Sequence, residues 1–197
     1  MTAGLGMRVI AGKYRSRALR SLPGLELRPT ADRLRETLFN VLTAGNPTAL
    51  EGTVWFDLYA GTGAVGIEAM SRGAAMVYFA ESAARAAELI KENLTSLGIG
   101  TGFQILKQDS IRTLRGLESG VTVADFVFLD PPYDMEDACR RTLEALSKSR
   151  LLKRESIVIA EHQKKFDPGA AFESLCRYRK LEQGDAALSF YRLAPAQ

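Results

Sequence analysis

Phe56-Asp57-Leu58-Tyr59-Ala60-Gly61-Thr62-Gly63-Ala64-Val65-Gly66-Ile67-Glu68-Ala69-Met70 reads as a strand, a glycine-rich turn and the start of a helix. Gly61 and Gly63 let the backbone come close to a ligand, and Gly66 lets the helix that follows lie tightly on a sheet. The same three glycines satisfy the G-x-G-x-x-G pattern of dinucleotide sites, so NAD is one candidate ligand. That pattern alone does not choose a ligand. Glu81, at the end of the next strand, can hold a ribose diol through its two oxygens. It would repel a 2′-phosphate, which argues against NADP.

Outward from this turn the chain alternates between two patterns. Apolar strands are expected at 54–59, 76–81, 103–107, 124–130 and 156–161, separated by helices at about 64–71, 83–97, 110–117 and 136–149. Such alternation builds a doubly wound parallel sheet with helices on both faces. The tail breaks the rule: stretches at 174–181 and 187–193 are joined by Glu182-Gln183-Gly184-Asp185, a hairpin signature. The expected fold class is α/β, a Rossmann-like, mostly parallel sheet that ends in an antiparallel hairpin. Methyltransferases of class I have that arrangement and most dehydrogenases do not.

The strand ends carry the chemistry. Asp125-Phe126-Val127-Phe128-Leu129 runs into Asp130-Pro131-Pro132-Tyr133, and a Pro-Pro step can neither continue a helix nor donate to a sheet. One carboxylate, one carbonyl and one aromatic ring are thereby set at a strand's C-terminal end. Asp130 and the Pro131 carbonyl can accept the two N–H bonds of a planar exocyclic amine, and Tyr133 can stack on its ring. Asp57, ahead of the glycines, suits the ammonium of a methionine moiety and would repel a pyrophosphate. Asp109, in Gln108-Asp109-Ser110, is placed to accept from an adenine amino group. Ligands of such sheets bind at strand C-termini, so Asp57, Glu81, Asp109 and Asp130 together favour S-adenosylmethionine over NAD.

With 197 residues, 46% of them hydrophobic and 25% charged, the chain can bury a full core as one domain with a short extension. No apolar run approaches the roughly 18 residues needed to span a bilayer, and the start lacks a signal-peptide core. Cys139 and Cys176 have no metal or redox spacing and are expected to be reduced thiols of a cytoplasmic protein. The single His162 excludes a histidine-cluster metal site, so no metal is expected. The net charge of +3 is uneven. Residues 1–46 carry eight Lys/Arg and three acids, a net +5, whereas the remainder carries eighteen basic and twenty acidic groups, a net −2. A basic end of this kind suits a segment that meets phosphates, with a solvated face as the competing reading. Within it, residues 8–19 read as two short strands around Gly12-Lys13-Tyr14-Arg15-Ser16, and Thr30 or Asp32 can cap a helix running to about Leu42. The expected division is a basic arm over 1–46 and a cofactor-binding catalytic domain over 47–197.

Two blocks carry a resemblance to a known family. The order of Asp57-x-x-Ala60-Gly61-x-Gly63, Glu81, Asp109 and Asp130-Pro-Pro-Tyr133 resembles class I S-adenosylmethionine-dependent methyltransferases. Arg8-Val-Ile-Ala-Gly12-Lys-Tyr-Arg-Ser-Arg17 and Leu27-Arg28-Pro-Thr-Ala-Asp32-Arg33-Leu-Arg35-Glu36-Thr-Leu38-Phe39-Asn40 are similar to the RsmD-type family. The likeness runs from about Arg8 to Leu193. It implies methyl transfer from S-adenosylmethionine, giving S-adenosylhomocysteine, to the exocyclic N2 of one guanine in 16S ribosomal RNA. The implied cofactor residues are Asp57, Ala60, Gly61, Gly63, Glu81, Asp109 and Ser110, and the implied catalytic ones are Asp130, Pro131 and Tyr133. Tyr133 stands where close relatives often have Phe. The implied partner is the small ribosomal subunit or an assembly intermediate of it, with a monomeric protein and no membrane. Lys13, Arg15, Arg17 and Arg20 are candidates to grip RNA. Arg28, Arg33 and Arg35 suit RNA, the cofactor carboxylate or an anchoring role. The rival readings are a DNA or protein-glutamine amino-methyltransferase, an NAD-dependent oxidoreductase and a non-catalytic RNA-binding module.

Overall fold

The computed structural model describes residues 7–21, 29–120, 122–132 and 135–195. Helix α1 (Pro29–Leu42) leads into four β-α units and a fifth strand: β1 (Val54–Leu58), α2 (Ala64–Ser71), β2 (Met76–Ala80), α3 (Ala84–Ser96), β3 (Phe103–Leu106), α4 (Ser110–Glu118), β4 (Ala124–Leu129), α5 (Glu136–Lys148) and β5 (Leu152–Gln163). Three antiparallel strands finish the chain: β6 (Ala171–Phe172), β7 (Leu175–Gln183) and β8 (Ala186–Leu193). All eight strands form one sheet in the order β3-β2-β1-β4-β5-β8-β7-β6. Strands β1 to β5 are parallel, and β8 returns antiparallel against β5. The α/β expectation and its closing hairpin hold, and among the described residues no helix is long and apolar enough to cross a membrane.

Strand alternation divides the core in two. Trp55, Phe126, Phe128, Ile159 and Phe190 face α1, α2 and α3, whereas Phe56, Leu58, Val127 and Tyr191 face α4 and α5. Asp57, Asp130 and Glu161 occupy the alternation of the first set, so all three belong to the three-helix face. Gly66 is required there: a Cβ on it would lie 2.3 Å from the Phe79 ring and 2.8 Å from Val77. Trp55 lies between Phe39 of α1 and Phe126 of β4, with ring centroids 5.5 and 5.1 Å away. Helix α1 is thus packed onto the sheet itself.

The basic arm differs from two short strands. Arg8 and Ala18 form a single antiparallel bridge. The backbone between them bonds across the arm, as in Val9 N–H to the Arg17 carbonyl at 3.0 Å, and also to helix α2. Ile10 and Ala11 donate their amides to the Glu68 carboxylate at 2.7 and 3.0 Å, Lys13 donates to the Ser71 carbonyl at 2.7 Å, and Tyr14 donates to Ser71 Oγ at 2.9 Å. Gly12, at φ +80°, lies so close that a Cβ would fall 1.9 Å from the Ser71 carbonyl oxygen. Val9, Leu19, Leu34 and Leu38 join the same hydrophobic cluster as Trp55 and Ile67.

Candidate active site

The order of strands reverses between β1 and β4, and ligands of open α/β sheets bind where that happens, beyond the strand C-termini. There the glycine turn after β1 and Asp130, the residue after β4, border one cleft. Its walls include Asp57, Ala60, Gly61 and Asp130, together with Arg35, Phe128, Glu161 and Leu188. The chain turns sharply to make it. Tyr59 adopts φ +63°, a left-handed conformation that is costly for a non-glycine residue, and Gly61 and Gly63 follow at +55° and +78°. Beside Gly61 the space is open, since the nearest atom to an added Cβ is 4.0 Å away.

The acids around the turn are bound in different ways. Asp57, 1% exposed, accepts the Gly66 amide at 2.8 Å. Burial pushes its carboxyl up to about 8 against that hydrogen bond, with the charges of Asp130 and Glu81 adding to the shift. Glu81 braces the turn, accepting Gly61 N–H at 2.9 Å and Ala83 N–H at 2.8 Å. Asp109 caps α4 through the Arg112 amide at 2.9 Å, and Ser110 is the buried first residue of that helix. Gly63 caps α2 and packs against Ile90 and Phe79. The cleft therefore brings together Asp57, Ala60, Gly61 and Asp130, while Glu81, Asp109, Ser110 and Gly63 support its rim and adjoining helices.

Asp130 ends β4, where its amide reaches the Leu58 carbonyl at 3.4 Å. Burial pushes its carboxyl up to about 7. The Pro132 carbonyl accepts the Met135 amide at 2.8 Å, whereas among the described residues the Pro131 carbonyl accepts no hydrogen bond. Among the described residues, neither acceptor at the end of β4 is taken. Tyr133 and Arg28 lie outside the described residues.

Arg35 departs from a role on the RNA-facing surface. It is 6% exposed, and its guanidinium donates to the Arg8 carbonyl at 2.7 Å and to Asp32 at 3.0 Å. It ties the arm to α1 and forms part of the cleft wall. Lys13, Arg15, Arg17, Arg20 and Arg33 are exposed. Two of them are braced: Arg17 donates to the Ser96 carbonyl at 3.1 Å, and Arg20 pairs with Glu92 at 3.2 Å. His162 is buried, with its ring nitrogens against the Gln163 carbonyl and Ser189 Oγ, a structural arrangement. Sequence reasoning missed Glu161 as a site residue. The signal that marked Asp57, Glu81, Asp109 and Asp130, an acid at a parallel strand's C-terminal end, applies equally to the fifth strand.

The donor set fits S-adenosylmethionine. A cleft lined by Asp57 and Asp130, with Glu81 beneath its turn, can pair with a ligand carrying an ammonium and a sulfonium, since a nearby cation favours the ionised form of a raised carboxyl. Gly61 leaves room for close backbone approach. Among the described residues there is no cluster of three or more metal-binding side chains.

The comparisons agree with that architecture. The family model described as conserved hypothetical protein 95 matches residues 7–192. Ribosomal RNA small subunit methyltransferase D of Haemophilus influenzae is 34% identical over 80% of this chain and 79% of its own. YlbH of Bacillus subtilis is 30% identical over 94% of this chain and 98% of its own. The solved structure of yhhF from Escherichia coli superposes with a TM-score of 0.78 at 26% identity, covering 95% of this chain and 97% of that one.

Proposed function

The chain belongs to the RsmD-type family of methyltransferases, and from that premise we propose that it methylates the exocyclic N2 of one guanine in 16S ribosomal RNA, using S-adenosylmethionine. The observation that carries this reading is Asp130, which lines the same cleft as Gly61 and Asp57 and whose carboxyl, like the neighbouring Pro131 carbonyl, accepts no hydrogen bond among the described residues. A planar amine is the group that such a pair can hold.

S-adenosylmethionine, when bound, supplies an activated methyl group, so the protein's task is orientation. Asp57 and the turn at Ala60–Gly61 would hold the amino-acid end, and Glu81 the ribose, with Asp109 and Ser110 near the adenine. Asp130 and the Pro131 carbonyl would accept the two N2 hydrogens and so direct the nitrogen lone pair at the methyl carbon. As the N–C bond forms and the S–C bond breaks, positive charge develops on N2, and the Asp130 carboxylate stabilises it. The surplus N2 proton then leaves to Asp130 or to water. Tyr133 would stack on the base plane. A base inside a helix cannot enter this cleft, so the target guanine must be unpaired or turned outward.

The basic arm would supply the RNA contacts, through Lys13, Arg15, Arg17, Arg20, Arg33 and Arg28, with residues 47–197 forming the catalytic unit. The exposure of the described members of that set supports the assignment. Arg35 is left out of it because its hydrogen bonds are internal. The partner is the small subunit or a late assembly particle, since the arm is too small to select one guanine from sequence alone.

The test is methyl transfer from labelled S-adenosylmethionine to small subunits lacking the modification, with mass mapping of the product. Free 16S RNA, duplex DNA and bulk protein run in parallel. One N2-methylguanine in the ribosomal RNA is the expected result. Label in DNA or protein, or in no substrate despite cofactor binding, overturns the substrate assignment and leaves the fold intact.

A further inference from the structure

Resting on a guanine-N2 substrate, we infer that Glu161 selects the base. Its carboxylate accepts the N1–H of the target guanine, beside the N2 amine held by Asp130 and the Pro131 carbonyl.

The placement follows from strand register. Leu129 of β4 pairs with Ala160 of β5 in parallel, so Asp130 and Glu161 occupy the next matched positions and project to the same side of the sheet. Both are half-buried and line the cleft. Glu161 pairs across β5–β8 with Leu188, which with Phe128 gives the cleft an apolar wall against which a base can lie. On its far side Glu161 borders a crevice behind Pro131 and Pro132 of about 10 Å³, room for about one water molecule.

The second observation is what Glu161 lacks. Asp57, Glu68, Glu81 and Asp109 each accept a backbone amide. Among the described residues the carboxyls of Asp130 and Glu161 accept no hydrogen bond and form no ion pair. Half-buried at the cleft, both carboxyls keep their acceptor capacity free for a donor that enters it. Burial and the charge of Asp130 hold the Glu161 carboxyl well above the usual carboxylate range. An N–H donor arriving at this position reverses that preference, because it stabilises the ionised form.

Guanine is the base whose edge fits. Its N1–H and its N2 amine are adjacent donors, so two neighbouring carboxyls can accept from both. Adenine and cytosine present an amine next to a ring-nitrogen lone pair. An ionised Glu161 would face that lone pair, a repulsive contact that excludes them. Asp130 alone holds any exocyclic amine, and Glu161 adds the discrimination.

The experiment replaces the target guanine with 2-aminopurine, which keeps the 2-amine but carries a lone pair at N1. Small subunits reconstituted with either base are methylated by wild-type protein and by Glu161→Gln, with S-adenosylhomocysteine affinity measured by calorimetry. Wild type should prefer guanine by roughly 10- to 100-fold in kcat/KM. In Glu161→Gln the amide can donate to the 2-aminopurine N1, so the preference should collapse toward unity, with cofactor-product affinity within about twofold. A variant that keeps the wild-type preference, or loses both substrates by the same factor, overturns the inference. Equal use of the two bases by wild type also overturns it, whatever the variant's folding. Wild-type protein inactive on guanine subunits would instead mean that the proposed function has failed.

Discussion

Glu68 and the pair Asp130–Glu161 are carboxyls drawn into the same molecule's interior and treated in opposite ways. Glu68, fully buried, accepts two arm amides and the Arg72 guanidinium at 2.7 Å, so its oxygens are occupied by protein. Asp130 and Glu161 have no such partners among the described residues, and burial raises both. The first arrangement turns a charge into a fastener. The second holds acceptor groups ready for donors from outside. Burial and hydrogen-bond partnership both separate them: Glu68 is closed off by protein, whereas Asp130 and Glu161 border a cleft.

Removing the fastener should cost the most. Glu68→Ala leaves two amides and Arg72 unpaired in the interior, and should lower stability by about 3–5 kcal/mol in chemical denaturation. A loss below about 1 kcal/mol would make Glu68 no different from a surface acid. Asp130→Asn should reverse the pattern. Turnover should fall by roughly 10²- to 10³-fold, the scale of removing one transition-state electrostatic contact, with cofactor affinity near wild type and no loss of thermal stability. Lost cofactor binding would show that Asp130 serves the cofactor rather than the amine.

The same contrast has a pH signature. Asp57, raised to about 8, and Asp130, raised to about 7, stay protonated in the folded chain above their ordinary value of 3.8. The folded state then binds more protons than the unfolded one. Their contribution to stability is fully present below about pH 4 and is lost as pH rises through about 7 to 8. Thermal melts of ligand-free protein across that window should show the decline, and Asp130→Asn should flatten it; equal slopes in the two proteins would contradict the assignment. The smallest effect concerns the arm's exposed cations. Arg15→Ala should reduce the slope of log affinity against log salt for 16S RNA by about one, and an unchanged slope would make the arm a structural element only. Point changes serve better than truncation here, because Val9 and Leu19 belong to the core.

Local pattern made most of the sheet legible. β1 to β4 stand within one residue of their expected ends, because each is an apolar run closed by an acid or a turn. Strand β5 starts four residues earlier than expected. Lys153-Arg154-Glu155 reads as a polar loop, yet Leu152 pairs with Ala124 and the register then shifts to match Ile157 with Phe126. The two-residue β6 has no periodic signal at all. In the site, the acids at strand ends were readable one by one, whereas the docking of the arm was not. Ile10 and Ala11 find Glu68 at separations of 58 and 57 residues, and no local periodicity reports a partner at that distance. The same is true of Arg35, whose burial depends on a carbonyl 27 residues before it.

Those separations also set an order of events during synthesis. The arm leaves the ribosome before its partners, so its backbone must wait for Glu68 and Ser71, and Arg17 for Ser96. Thr37 of α1 meets Gln183 across 146 residues, so its last fastening needs nearly the whole chain. Long-range closures of this kind are slow and come late. The arm is thus secured well after it is made, and a chain halted before residue 68 holds none of the arm's backbone anchors on α2.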